Sequence, residues 1–228
     1  MTIKPLRIAR IHALEESLSP IRDAFSQHWP EVESFDLLDT SLAVDLAQAG
    51  GLDSAMMDRF RTLADYVSQA PGKDGPADAI LFTCSAFGPA IEAVKQRLSI
   101  PVMRPTEAAF AEALTLGSRI ALVVTFQESL TSLSIELNEM AAARGQEITI
   151  TGVMVEGALA ALKAGDGATH DALVAQACAD LPEQDVMLLG QFSLARAAKV
   201  LEPMFSYPVL TTPGCAVQTL RAKLSQNS

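Results

Sequence analysis

Ile80-Leu81-Phe82-Thr83-Cys84-Ser85-Ala86-Phe87-Gly88 is an apolar run that breaks into small and polar residues. A helical stretch follows, and then Ile100-Pro101-Val102-Met103. The same grammar returns at Met187-Leu188-Leu189-Gly190-Gln191-Phe192-Ser193, again followed by a helical stretch and by Tyr207-Pro208-Val209-Leu210. Cys84 precedes Pro101 by seventeen residues and Gln191 precedes Pro208 by the same interval, so the segments align without a gap. Short continuous apolar runs bounded by turn residues are the pattern of strands buried on both faces. A thiol at the end of one strand thus has a pseudo-symmetric partner position, and that partner is an amide.

A second repeat supports the first. Arg7-Ile8-Ala9 leads to Glu16-Ser17-Leu18-Ser19, and Arg119-Ile120-Ala121 leads to Glu128-Ser129-Leu130-Thr131 at the same spacing. A period of about 110 residues is too long for a solenoid and reads as duplicated lobes. The first half is expected to run strand 7–12, helix near 16–28, strand 32–38, helix near 53–70, strand 78–83, helix 88–98 and strand 100–103. Helix 106–116 links the lobes. The second half reads strand 119–125, helix near 129–144, strand 147–154, helices near 156–163 and 168–180, strand 185–190, helix 193–203, strand 207–210 and a last helix near 214–225. Strands alternating with helices predict an α/β fold of βαβ units with parallel sheets. We expect two pseudo-symmetric lobes, 1–103 plus a returning segment 208–228, and 104–207. Ligands of open parallel sheets bind beyond the carboxyl ends of strands, which places the expected active site in the cleft between the lobes.

The 228 residues carry a net charge of −10 with no basic cluster, which argues against nucleic acid or an anionic membrane as partner. No apolar stretch reaches the roughly 18 residues of a transmembrane helix, and the first residues lack a signal core. Cys84, Cys178 and Cys215 stand at unrelated spacings, which suits free thiols in a reducing cytoplasm rather than disulfides. No spacing of Cys and His resembles a metal site, and His12, His28 and His170 are scattered. The oligomeric state stays open, a homo-oligomer included.

Cys84 follows a buried strand and precedes a helix that starts near Gly88-Pro89. Backbone N–H groups and the helix dipole there would stabilise a thiolate or an anionic ligand, and Ser85 adds a hydroxyl donor. A small buried cysteine in a tight turn accounts for the same residues. Asp39, Thr40 and Ser41 form a polar turn after the second strand, with Asp39 either in a site or capping the segment after it. Arg10 is an unusual charge in a strand, able to reach an anion or pair with a neighbouring acid.

The Thr83-Cys84-Ser85-Ala86-Phe87-Gly88 turn resembles the first cysteine motif of the aspartate/glutamate/hydantoin racemase superfamily. The second motif of that family is a Leu-Gly-Cys run in the other lobe, and here it reads Leu189-Gly190-Gln191. The resemblance covers essentially the whole chain. It implies cofactor-independent chemistry, without a metal, at the carbon α to a carboxylate of a small amino acid or organic acid, so the expected partner is a small anionic carboxylate. Relatives include maleate isomerase and arylmalonate decarboxylase. Two-cysteine members remove the α-proton with one thiolate and deliver a proton from the other thiol. Cys84 would be the thiolate here, but Gln191 neither takes nor gives a proton near neutral pH; it can hydrogen-bond a carboxylate or enolate oxygen.

A replacement second base is therefore sought, with His12 the first candidate by type. Cys215, after Pro213-Gly214, is another. Thr125 stands where the family places a polar residue near the substrate, and Ala86 lacks the hydroxyl often found there; Ser85 and Ser193 follow the two strand ends and could bind a carboxylate, and Gln191, Phe192 and Asp39 complete the expected substrate-binding set. Racemase or isomerase is the first reading, single-cysteine decarboxylase or lyase the second, and a non-catalytic small-carboxylate binding protein the third. A Cys84 thiol pKa below that of free cysteine would support chemistry. A normal or raised value, with ligand binding retained without the thiol, would support binding alone.

Overall fold

The computed structural model describes residues 5–73 and 75–226. The chain divides into two compact units, Met1–Pro105 with Val217–Ser228, and Thr106–Ala216. Within the first unit, strand β1 (Arg7–His12) leads to α1 (Leu18–His28), β2 (Glu33–Leu38), α2 (Ser41–Ala49) and α3 (Ser54–Gln69). Then come β3 (Ala79–Phe82), α4 (Gly88–Arg97) and β4 (Val102–Met103). Its sheet is parallel throughout, in the order β2-β1-β3-β4. The second unit holds α5 (Glu107–Leu116), β5 (Arg119–Val124), α6 (Gln127–Ala142), β6 (Thr149–Met154), α7 (Ala158–Lys163), α8 (Gly167–Cys178) and β7 (Val186–Leu189). These are followed by α9 (Ala198–Leu201) between two 3-10 segments, β8 (Val209–Thr211) and α10 (Thr212–Ser225). That sheet is also parallel and repeats the order as β6-β5-β7-β8.

Every residue of β3 and β7 is buried, as strands covered on both faces require. In the first unit Ala9, Ile11, Ile80 and Phe82 share one sheet face with Phe60, Ala64 and Val67 of α3 and Ala90, Ile91 and Val94 of α4. The spacing Met56, Phe60, Ala64, Val67 is one stripe of a 3.6-residue helix. Asp53 starts that helix by accepting a hydrogen bond from the Met56 N–H at 2.7 Å. Burial of each such large apolar side chain contributes about 1.5–3 kcal/mol. The other face of β1 presents Ile8, Arg10 and His12, because side chains alternate along a strand.

The duplication extends to a device at the start of each sheet. Asp78, just before β3, accepts a hydrogen bond from the main-chain N–H of Arg7 at 2.8 Å. Asp185, just before β7, accepts from the main-chain N–H of Arg119 at 2.8 Å and also holds the Arg119 guanidinium at 2.7 Å.

Three expectations change. First, α2 is an addition, since the sequence pattern assigns no element to 42–49. Only Leu42 of this helix is buried, so its apolar stripe is short, although Gly50 at φ +70° marks its end. Second, 193–203 is not one α-helix but 3-10 turns Phe192–Ala197 and Glu202–Met204 around α9. Pro203 has no N–H with which to continue an α-helical ladder. Third, the chain returns to the first unit at Val217 and not at 208, because β8 hydrogen-bonds to β7 and so belongs to the second sheet.

Candidate functional site

Cys84 lies two residues beyond β3, in extended backbone (φ −120°, ψ 119°), and opens the 3-10 turn Ser85–Phe87. Gln191 lies two residues beyond β7, also extended (φ −135°, ψ 147°), and opens the 3-10 turn Phe192–Ala197. The residue between strand and turn is tied alike in both. Thr83 N–H donates to Ile11 O at 3.0 Å, and Gly190 N–H donates to Val123 O at 2.9 Å. The thiol and the amide are therefore topological equivalents.

Cys84 is half-buried at its surface, as is Ser85, and Ala86 is exposed. Burial pushes the Cys84 thiol up to about 11, and the hydrogen bond from the Ala86 backbone N–H opposes this only in part. The expected thiolate-stabilising turn thus holds a protonated thiol near neutral pH. One N–H does not offset the loss of water around a thiolate.

Residues of β1 and β2 together with Thr83, just beyond β3, carry a polar network. His12 is fully buried; its Nε2 lies 2.9 Å from Asp36 Oδ1 and its Nδ1 lies 2.8 Å from Thr83 Oγ1. A carboxylate only accepts, so Nε2 carries the proton donated to Asp36. Thr83 Oγ1 also lies 3.3 Å from Ile11 O, so its hydroxyl can donate to His12 or, when Nδ1 is protonated, to that carbonyl. Arg22 donates to Asp36 Oδ2 twice, at 2.9 and 2.7 Å. Arg10 Nε approaches Asp36 Oδ1 at 2.7 Å as an ion pair, although its N–H is not aligned for a hydrogen bond. Burial alone would raise the Asp36 pKa. The hydrogen bonds from His12 and Arg22 and the charge of Arg10 outweigh it and hold the carboxyl at about 2.

The second base sought in His12 is therefore not available in this arrangement: both ring nitrogens are engaged and the ring is sealed from solvent. Of the two roles open to Arg10, the structure selects pairing with an acid. Asp39 accepts from Ser41 N–H at 3.1 Å, from Ser41 Oγ at 2.6 Å and from Arg59 Nη2 at 2.6 Å, so its carboxylate starts α2 and is ion-paired.

In the second unit, Gln191 Oε1 accepts from Thr125 N–H at 2.7 Å and from Thr125 Oγ1 at 2.8 Å. Thr125 is 9% exposed and Gln191 half-buried. Phe192 and Ser193 are buried. Cys178 lies in the core of this unit. Cys215 is also buried, and burial together with Glu112 drives its thiol well above the ordinary range, which removes it as a ready acid-base group.

The polar network has no twin. In the matching register, Arg10, His12, Asp36 and Thr83 become Leu122, Val124, Gly152 and Gly190. A Cβ at Gly152 would come within 2.8 Å of Leu130 Cδ1, so a leucine fills the space where the first unit carries a carboxylate. Sequence reasoning missed Asp36, Thr83 and Arg22. The available signal was Arg10 and His12 two apart on one strand face, which requires an acid on the neighbouring strand.

Residues 21–220 match the family model described as Asp/Glu/Hydantoin racemase. A sequence comparison with curated proteins gives no match. Among solved structures, allantoin racemase from Klebsiella pneumoniae is similar at 19% identity and TM-score 0.70, over 97% of this chain and 89% of that one. Glutamate racemase from Campylobacter jejuni subsp. jejuni is similar at 14% identity and TM-score 0.69, over 96% of this chain and 86% of that one. A variant of arylmalonate decarboxylase is similar at 18% identity and TM-score 0.65, over 94% and 92%. At these identities the structural likeness is one of fold.

Proposed function

The chain belongs to the Asp/Glu/hydantoin racemase family, and on that footing we propose that it is a cofactor-independent racemase or isomerase acting at the carbon α to a carboxylate of a small amino acid or organic acid. Cys84 is the proton-transferring group. The observation that carries this reading is the position of Cys84, at the end of the third strand of its sheet and at the head of a 3-10 turn. The burial that raises its thiol also makes the thiolate a strong base once formed, as removal of a weakly acidic α-proton demands. Ser85 and the Ala86 N–H are the local donors for an anion. The three unpaired thiols support a cytoplasmic location.

His12 serves here as a positioning residue: through Thr83 it holds the main chain from which Cys84 projects. Gln191 is the hydrogen-bonding counterpart of Cys84, and its inability to transfer a proton favours, as a second reading, a single-thiol decarboxylase or lyase. The raised Cys84 thiol favours a third, a non-catalytic binder of small carboxylates.

α-Proton exchange in deuterated water, followed by NMR over a panel of small amino acids and dicarboxylates, distinguishes them. Exchange with inversion identifies a racemase, and loss of a carboxylate a decarboxylase. Cys84→Ala is expected to slow whichever turnover is found by about 10²–10⁴-fold. Unchanged turnover in that variant would overturn the assignment. In the free protein, the thiolate fraction at neutral pH should fall about a hundredfold below that of an ordinary cysteine, since the thiol moves from 9.0 to about 11. Iodoacetamide labelling of Cys84 against pH, read by peptide mass spectrometry, checks this, and a plateau below pH 9 would contradict it.

A further inference from the structure

The main-chain N–H of Thr125 can only donate, so the Gln191 atom that it meets at 2.7 Å is the amide oxygen and not the amide nitrogen. The Thr125 hydroxyl adds a second hydrogen bond to the same oxygen at 2.8 Å. Both oxygen lone pairs of the amide are thereby engaged, and the side chain cannot flip without breaking two hydrogen bonds. What is left is the Nε2–H2 end. It makes no hydrogen bond among the described residues, and it is not among the buried polar atoms left without a partner, so on this half-buried residue it keeps some contact with solvent.

We propose that Thr125 converts Gln191 into an obligate hydrogen-bond donor, so that the strand end of the second unit selects an anionic oxygen, a carboxylate or an enolate, and rejects an ammonium group. Gln191 is then the specificity-determining residue and Thr125 its positioning residue. The inference rests on the small-carboxylate reading above and sharpens it. An unclamped amide would present oxygen or nitrogen according to its ligand and would tolerate either charge. The clamped amide cannot, because turning its oxygen outward would leave the buried N–H of Thr125 unpaired.

The test is NMR titration of the Gln191 side-chain Nε2–H2 resonances, with sodium malonate as the anionic probe and methylammonium chloride as the cationic one. Malonate is expected to shift these resonances saturably and methylammonium to leave them in place. Gln191→Glu keeps an oxygen acceptor for both Thr125 donors but has no donor of its own, and should weaken malonate binding by tenfold or more by calorimetry. Thr125→Val, which keeps the main-chain donor but loses the hydroxyl, should weaken it several-fold and move the two Nε2 proton signals, whereas Thr125→Ser, which restores the hydroxyl, should recover both. A merely structural threonine would not show that rescue of the amide signal. Equal malonate affinity in Gln191→Glu, or methylammonium shifting the resonances as malonate does, would overturn the proposal. Its failure is separable from failure of the reading on which it rests. Turnover dependent on Cys84 without a malonate response at Gln191 refutes only the clamp. A malonate response with turnover unchanged in Cys84→Ala refutes only the thiol chemistry.

Discussion

Asp36→Ala is expected to destabilise the protein by about 3–5 kcal/mol, the cost of stranding a buried charge by removing its partner. Asp36 is the carboxylate paired with Arg10, which is 4% exposed, and it also accepts from His12 and Arg22. Its loss leaves the Arg10 guanidinium against the Phe25 ring, 5.1 Å from its centroid, without its carboxylate. Urea denaturation measures the loss. The double variant Arg10→Met with Asp36→Ala should lose less than Asp36→Ala alone, because the stranded charge is gone; additive losses would show that Arg10 and Asp36 do not act as a pair.

The same pair sets an acid limit. The Asp36 carboxyl is held at about 2 against an ordinary 3.8. A group with a depressed folded pKa contributes stability that is complete above its unfolded pKa and is lost as pH falls towards the folded value. The contribution should therefore disappear between about pH 4 and pH 2. Asp185 of the second unit, held at about 2 mainly by the Arg119 side chain and backbone N–H, titrates in the same window. The quantity to read is thus the difference between wild type and Asp36→Ala, which should narrow as the pH is lowered through this range.

Phe60→Ala should have the next largest effect, about 3–5 kcal/mol for a buried ring replaced by a methyl group. Phe60 is 2% exposed on α3. Its ring stacks on Phe82 at 5.4 Å between centroids and tilts against Phe87 at 4.7 Å. Those two residues bracket Cys84 in sequence, and Cys84 itself packs against this cluster. The cavity should therefore loosen the turn as well as the core. Denaturation measures the first consequence and Cys84 alkylation the second: labelling at fixed pH should accelerate in Phe60→Ala. If stability falls while labelling stays at the wild-type rate, the turn is held by its backbone hydrogen bonds and not by the aromatic rings.

Much of the frame was legible in the amino-acid order. The matched runs around Cys84 and Gln191 disclosed two repeats of alternating strand and helix, because apolar runs and turn residues report the alternation of buried strand and solvated loop; the strand order shared by the two sheets came from the structure. Helices with a long stripe, such as α3, were visible, while α2 was not, since one buried leucine makes no stripe. The lobe boundary was misplaced because pairing of β8 with β7 is a contact between distant segments and leaves no local mark.

The chemistry divided along the same line. Residue order alone established that a thiol and an amide occupy equivalent strand ends, since that comes from spacing in one dimension. It left open whether the thiol is charged, which way the amide points and whether His12 faces a ligand. Each of those depends on strand register and on how much water is excluded: register sets His12 between Asp36 and Thr83 and sets Gln191 Oε1 on Thr125, and burial keeps the Cys84 proton in place. Hydrogen-bond partners and desolvation arise only when segments remote in sequence are brought within a few ångströms of one another.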